Sequence, residues 1–102
     1  MYFMKVNIQA VNFNVDRKLV DFINERLEKL HKYYDKIVGI DVSLRTENTS
    51  DKENKSVDII VKIPGDDLIV KKIAKTFEEA TDLGSDALER LLVKRKEKIK
   101  AH

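Results

Sequence analysis

Two histidines, His31 and His102, are the side chains of this 102-residue sequence whose charge changes near neutral pH. They lie far apart in the chain, His102 as its last residue, and neither belongs to an H-x-x-x-H or His/carboxylate spacing that would hold a metal. His31 reads as a solvated or half-packed helical residue. Cysteine is absent, which removes thiol nucleophiles, thiolate metal sites and disulfides together. Asp82 and Asp86 stand at i, i+4 and could imitate a carboxylate pair. With Arg90 four residues further on, the spacing reads instead as a ladder of ion pairs along a helix. Gly39, Gly65 and Gly84 are isolated, so no glycine-rich loop is available to cradle a phosphate. An enzyme is not expected, and neither is a cofactor, a metal or a small-molecule substrate.

The chemistry that the sequence does offer is positive charge in one place. The chain carries 20 Lys+Arg against 18 Asp+Glu, a net charge of +2. From Ala87 onward Arg90, Lys94, Arg95, Lys96, Lys98 and Lys100 face only Glu89 and Glu97, so the C-terminal end is locally basic while the rest is slightly acidic. A balanced body with a basic end is the profile of a protein that docks a polyanion through one surface. The same residues would also suit a plain solubilising helix end, because Lys and Arg favour the last turns of a helix.

The elements that must position these charges are legible from periodicity. Met4, Val6, Ile8 and Ala10 alternate with Lys5, Asn7 and Gln9, a half-buried strand; Met4 is also a possible alternative start. Asn14 and Asp16 offer N-caps to a helix from about Asp16 to Tyr33, with Val15, Leu19, Phe22, Ile23, Leu27 and Leu30 at helical spacing. Of Tyr33 and Tyr34, one closes the core and the other faces outward. Arg26, Lys29 and Lys32 line the opposite face. Ile37–Thr46 and Lys55–Ile63 read as strands around a polar loop, 47–54. That loop contains the Asn48-Thr49-Ser50 sequon, expected to stay unmodified. Pro64-Gly65-Asp66 is a tight turn into a fourth strand, Leu68 to about Ala74, whose Lys71, Lys72 and Lys75 suit an exposed edge. Thr76-Phe77-Glu78-Glu79 matches a capping box and opens the last helix, through Ala80, Leu83 or Gly84, Ala87, Leu88, Leu91 and Leu92. Gly84 in mid-helix implies close approach to the sheet.

The order β-α-β-β-β-α, with one-sided strands, predicts an α+β two-layer sandwich: a four-stranded sheet with both helices on one face, the first two strands parallel and the others joined by hairpins. About 100 residues make a single domain, 1–102, burying about 60–65% of its unfolded surface. The charged fraction of 37% solvates what the 42% hydrophobic fraction does not bury. No segment approaches the roughly 20 apolar residues of a membrane span and no leader opens the chain, so a cytoplasmic location is expected and a membrane partner is not.

This fold places two basic stripes, Arg26, Lys29, Lys32 and Arg90, Lys94, Lys98, on neighbouring helices of one layer. Neutralising six phosphates would make binding fall by about 10³ between low and moderate salt. Aromatic residues are 7% of the chain and mostly committed to the core, which disfavours base stacking and favours folded or double-stranded RNA recognised by shape. A structured-RNA binder with another target and a protein–protein module using the Lys71–Lys75 edge are the other readings.

Three segments in order also resemble a known family: Met4-Lys5-Val6-Asn7-Ile8, the run from Arg26-Leu27-Glu28-Lys29-Leu30-His31-Lys32 to Ile37, and Asp86-Ala87-Leu88-Glu89-Arg90-Leu91-Leu92 with Lys94-Arg95-Lys96-Glu97-Lys98. The chain resembles the ribosome hibernation-promoting factor family, also called the sigma-54 modulation or ribosome-associated inhibitor family, over essentially its whole length. The resemblance implies a relative of the double-stranded-RNA-binding domain. It implies a stress or stationary-phase protein that occupies the mRNA/tRNA channel of the small ribosomal subunit and stops initiation by exclusion. It matches Arg26, Lys29, Lys32, Arg90 and Lys94 to rRNA-binding positions, to which the basic end adds Arg95 and Lys98. Two departures stand out: Ala87 occupies a place where a Lys is common, and Thr76-Phe77-Glu78-Glu79-Ala80 replaces an Asp-Met-Tyr-x-Ala helix opening. The length suggests a short form, which would need a separate factor to pair ribosomes or would silence single ones.

Overall fold

A computed structural model describes residues 5–48, 50 and 52–100; the expectations for Met4, Thr49 and His102 lie outside the described residues. The chain runs β1 (Lys5–Ala10), α1 (Arg17–Glu28), a 3-10 helix (Lys29–Lys32), β2 (Gly39–Thr46), β3 (Lys55–Ile63), β4 (Asp66–Ala74) and α2 (Phe77–Lys100). The strands form one four-stranded sheet in the order β1-β2-β3-β4. β1 and β2 are parallel, with Val6 opposite Ile40 and Ile8 opposite Val42, and the remaining pairs are antiparallel. This is the α+β sandwich that the alternation predicts.

One sheet face holds Ile40, Val42, Leu44, Val57, Ile59 and Val61, each at most 2% exposed. Against it pack Ile23, Leu27 and Leu30 from the first helical segment and Ala80, Leu88 and Leu92 from α2. Burying each large aliphatic side chain contributes about 1.5–3 kcal/mol, which is what holds the layers together. Tyr34 is the buried tyrosine of the pair. Phe13 and Phe77 stack with ring centroids 5.3 Å apart, closing the core where both helices begin.

The caps follow the sequence. Asp16 accepts a hydrogen bond from the Leu19 N–H at 2.8 Å, and Thr76 Oγ1 accepts one from the Glu79 N–H at 3.0 Å. Asn12 adopts φ 65°, a left-handed conformation that Asn tolerates, and turns the chain from β1 toward α1. Gly65 at φ 79° after Pro64 makes the tight turn between β3 and β4. Gly84 allows the close approach of α2 to the sheet: a Cβ there would meet Ile59 Cδ1 at 2.7 Å, and the end of that side chain would have to shift.

Four boundaries or placements differ from expectation. The first helix does not continue as α to Tyr33 but tightens into the 3-10 segment at Lys29. β2 starts at Gly39 rather than Ile37, because the Val38 N–H bonds at 2.8 Å to the carbonyl of Lys62, the residue already paired with Gly39, and so falls outside the regular ladder. β4 begins two residues earlier, at Asp66, because Pro64-Gly65 alone makes the reversal. Leu91 is 39% exposed instead of buried, since α2 presents its Leu83–Leu91 row outside the core.

Candidate nucleic-acid interface

The two helices run parallel, because each is antiparallel to the strand that it follows. Their lateral contacts show it: Arg26 reaches Asp82 and Asp86, and further along both helices Tyr33 meets Glu89. Both basic stripes therefore run toward the same end of the layer. In the 3-10 segment, with three residues per turn, Lys29 and Lys32 stand one above the other, so the first stripe stays straight instead of rotating away. Arg90, Lys94 and Lys98 repeat every four residues along α2 and form the second.

The structure divides the seven expected site residues into two groups. Arg26 is half-buried; its Nε lies 2.7 Å from Asp82 Oδ1 and its Nη2 3.9 Å from Asp86 Oδ1. The expected ladder from Asp82 and Asp86 to Arg90 is thus replaced by a clamp between helices, which sequence spacing within one helix could not reveal. Arg95, also half-buried, donates to Asp66 Oδ2 at 2.8 Å and ties α2 to the start of β4. The Asp66 carboxyl is held below its usual range, first by the Asp67 N–H and then by Arg95. Removing these two from seven leaves Lys29, Lys32, Arg90, Lys94 and Lys98, all exposed and without a carboxylate partner among the described residues.

A row of acids separates the two stripes, and it is largely occupied. Asp82 and Asp86 face Arg26, and Glu89 accepts from Tyr33. That hydrogen bond, then burial and the Glu89 charge, raise the Tyr33 phenol above its ordinary value.

The open face of the sheet treats its cations differently. Lys62 sits 3.0 Å from Asp41, which also accepts from Asn7 at 3.1 Å; Arg45 lies 3.5 Å from Glu47 and 3.6 Å from Asp58; Lys71 lies 3.5 Å from Glu47. The hydrogen bond from Asn7, followed by that from Lys62, keeps the Asp41 carboxyl low. Burial works to raise Glu47, but Lys71 and Arg45 outweigh it and bring it net below the usual value. Three cations of the sheet face are thus paired with local carboxylates, while five of the helix layer are not.

Spacing alone also missed a depression of about 250 Å³ between β4 and α2, lined by Leu68, Leu91, Lys94, Arg95 and Lys98. It joins residues from two elements, so only the packed fold shows it. Among the described residues no group of three or more His, Cys, Asp or Glu could hold a metal ion, and no helix is long and apolar enough to cross a membrane.

A ribosomal subunit interface protein from Coxiella burnetii has the same fold, with a TM-score of 0.79 and 22% identity over 91% of this chain and 98% of that one. The chain itself belongs to the sigma 54 modulation protein / S30EA ribosomal protein family, whose model matches residues 6–100. It is 30% identical to a ribosome hibernation promoting factor of Pseudomonas putida over 95 residues, covering 93% of this chain and 89% of that protein. It is 33% identical to a ribosome hibernation promotion factor of Bacillus subtilis over 98 residues, 94% of this chain but 50% of that protein.

Proposed function

We propose that this chain is a ribosome hibernation factor, a single ribosome-binding domain that sets its helix layer against rRNA of the small subunit. It occupies the mRNA/tRNA channel in the cytoplasm of stressed or stationary-phase cells and silences translation by exclusion. The observation that carries the reading is the division of charge. Arg45, Lys62 and Lys71 on the open sheet are each paired with carboxylates, whereas Lys29, Lys32, Arg90, Lys94 and Lys98 are exposed and unpaired on one layer. Unpaired cations are the groups that can trade counterions for phosphates. The relatives named for ribosome hibernation support the target.

The mechanism needs no bond chemistry. Arg26 and Arg95 fix the helices on each other and on the sheet, so the free cations are held at a set spacing before binding. Structured RNA offers phosphates at regular intervals, and a rigid basic layer reads that shape. A protein lodged there excludes mRNA and tRNA by volume. A separate dimerising factor is the partner through which such a domain would pair ribosomes.

Cosedimentation with vacant ribosomes and isolated subunits in sucrose gradients tests this. The protein should comigrate with the small subunit at low salt, and the double reversal Arg90→Glu/Lys94→Glu should abolish comigration with circular dichroism unchanged. Absence of comigration at low salt, or its survival in the reversed variant, would overturn the proposal.

A further inference from the structure

β4 is an edge strand, with β3 on one side and no strand on the other among the described residues. The ladder shows which main-chain groups are left over. Lys62 turns its carbonyl toward β2, accepting from the Val38 N–H, so its partner Asp67 is a non-hydrogen-bonded position of the β3–β4 pair. Alternation then directs the N–H and C=O groups of Asp67, Ile69, Lys71 and Ile73 outward.

This free edge is flanked by apolar surface on both sides. Ile69 and Ile73 are 65% and 43% exposed on the open face of the sheet. On the helix side Leu91 lines the depression beside Leu68, and Leu83, 44% exposed, lies in the same row of α2. Ala87, half-buried, lies between them in the same row of α2.

Lysines on an edge ordinarily prevent pairing. Here they make it selective, because Asp66-Asp67-Leu68-Ile69-Val70-Lys71-Lys72 is charge-complementary to its own reverse about Ile69. We propose that a second copy of this chain docks on the β4 edge, antiparallel, with a two-fold axis through Ile69 that continues the sheet across both copies. In that register Asp66 opposes Lys72 of the second copy, Asp67 opposes Lys71, Leu68 opposes Val70, and Ile69 meets its counterpart. The outward hydrogen-bonding groups of Asp67, Ile69 and Lys71 fall on facing positions. Moving the axis to Val70 sets Ile69 against Lys71, and moving it to Leu68 sets Asp67 against Ile69, so charge would oppose an apolar residue in either neighbouring register. The pairing does not depend on what the helix layer binds.

Sedimentation velocity on the full chain, from micromolar to millimolar concentration, tests it. The unaltered protein should show a reversible monomer–dimer equilibrium. Asp67→Lys and Lys71→Asp each create like-charge contacts at both symmetry-related pairs and should weaken self-association at least about tenfold. An equimolar mixture of these two variants should associate again, because every like-charge contact becomes an opposite-charge one in the mixed pair. If either variant fails to fold by circular dichroism, Ile69→Glu replaces them: it alters an exposed side chain at the axis and should leave the protein folded and monomeric. A monomer throughout the range, a mixture that stays monomeric, or undiminished association of folded Ile69→Glu would overturn the proposal.

Discussion

The sharpest test of the helix layer is its salt dependence, because the structure fixes how many cations are free. Spacing counts seven basic site positions, but Arg26 and Arg95 already hold Asp82 and Asp66 at 2.7 and 2.8 Å. With the remaining five, and about 0.7–0.9 counterions released per phosphate contact, log K should fall against log salt with a slope of about −3.5 to −4.5. That is a loss of about 10²–10³ in affinity between roughly 50 and 200 mM salt at fixed magnesium. Arg90→Gln/Lys94→Gln leaves three contacts and should flatten the slope to about −2 to −2.7. Arg26→Gln/Arg95→Gln should keep the slope of the unaltered protein. Its cost belongs to folding, about 1 kcal/mol or less for each partly exposed ion pair. The assay is ribosome cosedimentation across a potassium chloride series for all three proteins, with urea unfolding alongside. An equal flattening by the Arg26/Arg95 pair would refute the division into clamps and free cations.

Two further outcomes follow from packing and charge. Ala at Gly84 gains helix propensity worth about 1 kcal/mol but meets Ile59 Cδ1, so Gly84→Ala should be neutral or destabilising alone and stabilising by about 1 kcal/mol when Ile59→Val removes that atom; additive effects in denaturant unfolding would contradict the contact. The Asp41 and Asp66 carboxyls titrate below their ordinary value of 3.8 in the folded chain, so on acidification the unfolded chain takes up protons first. Their stabilisation is present above about pH 4 and is lost as pH falls through the folded values, and Asp41→Asn should shrink that loss in pH-dependent thermal melts.

What the sequence shows and what it hides divide along one physical line: local periodicity is visible, and contact between elements is not. β3 is legible because Val57, Ile59, Val61 and Ile63 alternate against Ser56, Asp58, Ile60 and Lys62, of which only Ile60 is apolar, and a polar loop and Pro64 bound the run. The Thr76 cap and the close approach at Gly84 were legible because each breaks or completes a local pattern. The end of α1 was not, since Leu30 and Tyr34 continue an apolar row that suits an α-helix equally well. Arg26 looked like a member of a surface stripe, and only the parallel packing of the helices brings Asp82 and Asp86 to it. Leu91 looked like core, because its sequence row does not show that α2 extends over a sheet edge.

The arginines carry that distinction further. Arg17, Arg26, Arg45 and Arg95 each face a carboxylate, at 3.3, 2.7, 3.5 and 2.8 Å respectively. Arg90 is the one arginine without such a partner among the described residues, and its companions in the free set are all lysines. A guanidinium binds carboxylate or phosphate through two parallel hydrogen bonds, whereas an ammonium acts as a mobile point charge. Arg26 and Arg95 use that fork to join separate elements, and under the proposed function Arg90 is the position where a guanidinium could meet a phosphate. Arg90→Lys should weaken ribosome binding by about tenfold with the salt slope unchanged, because charge is kept and the bidentate geometry is lost. Lys94→Arg should leave affinity nearly unaltered. Equal, small effects of both substitutions would show that the layer binds by charge alone, and the case for a geometric anchor at Arg90 would fail.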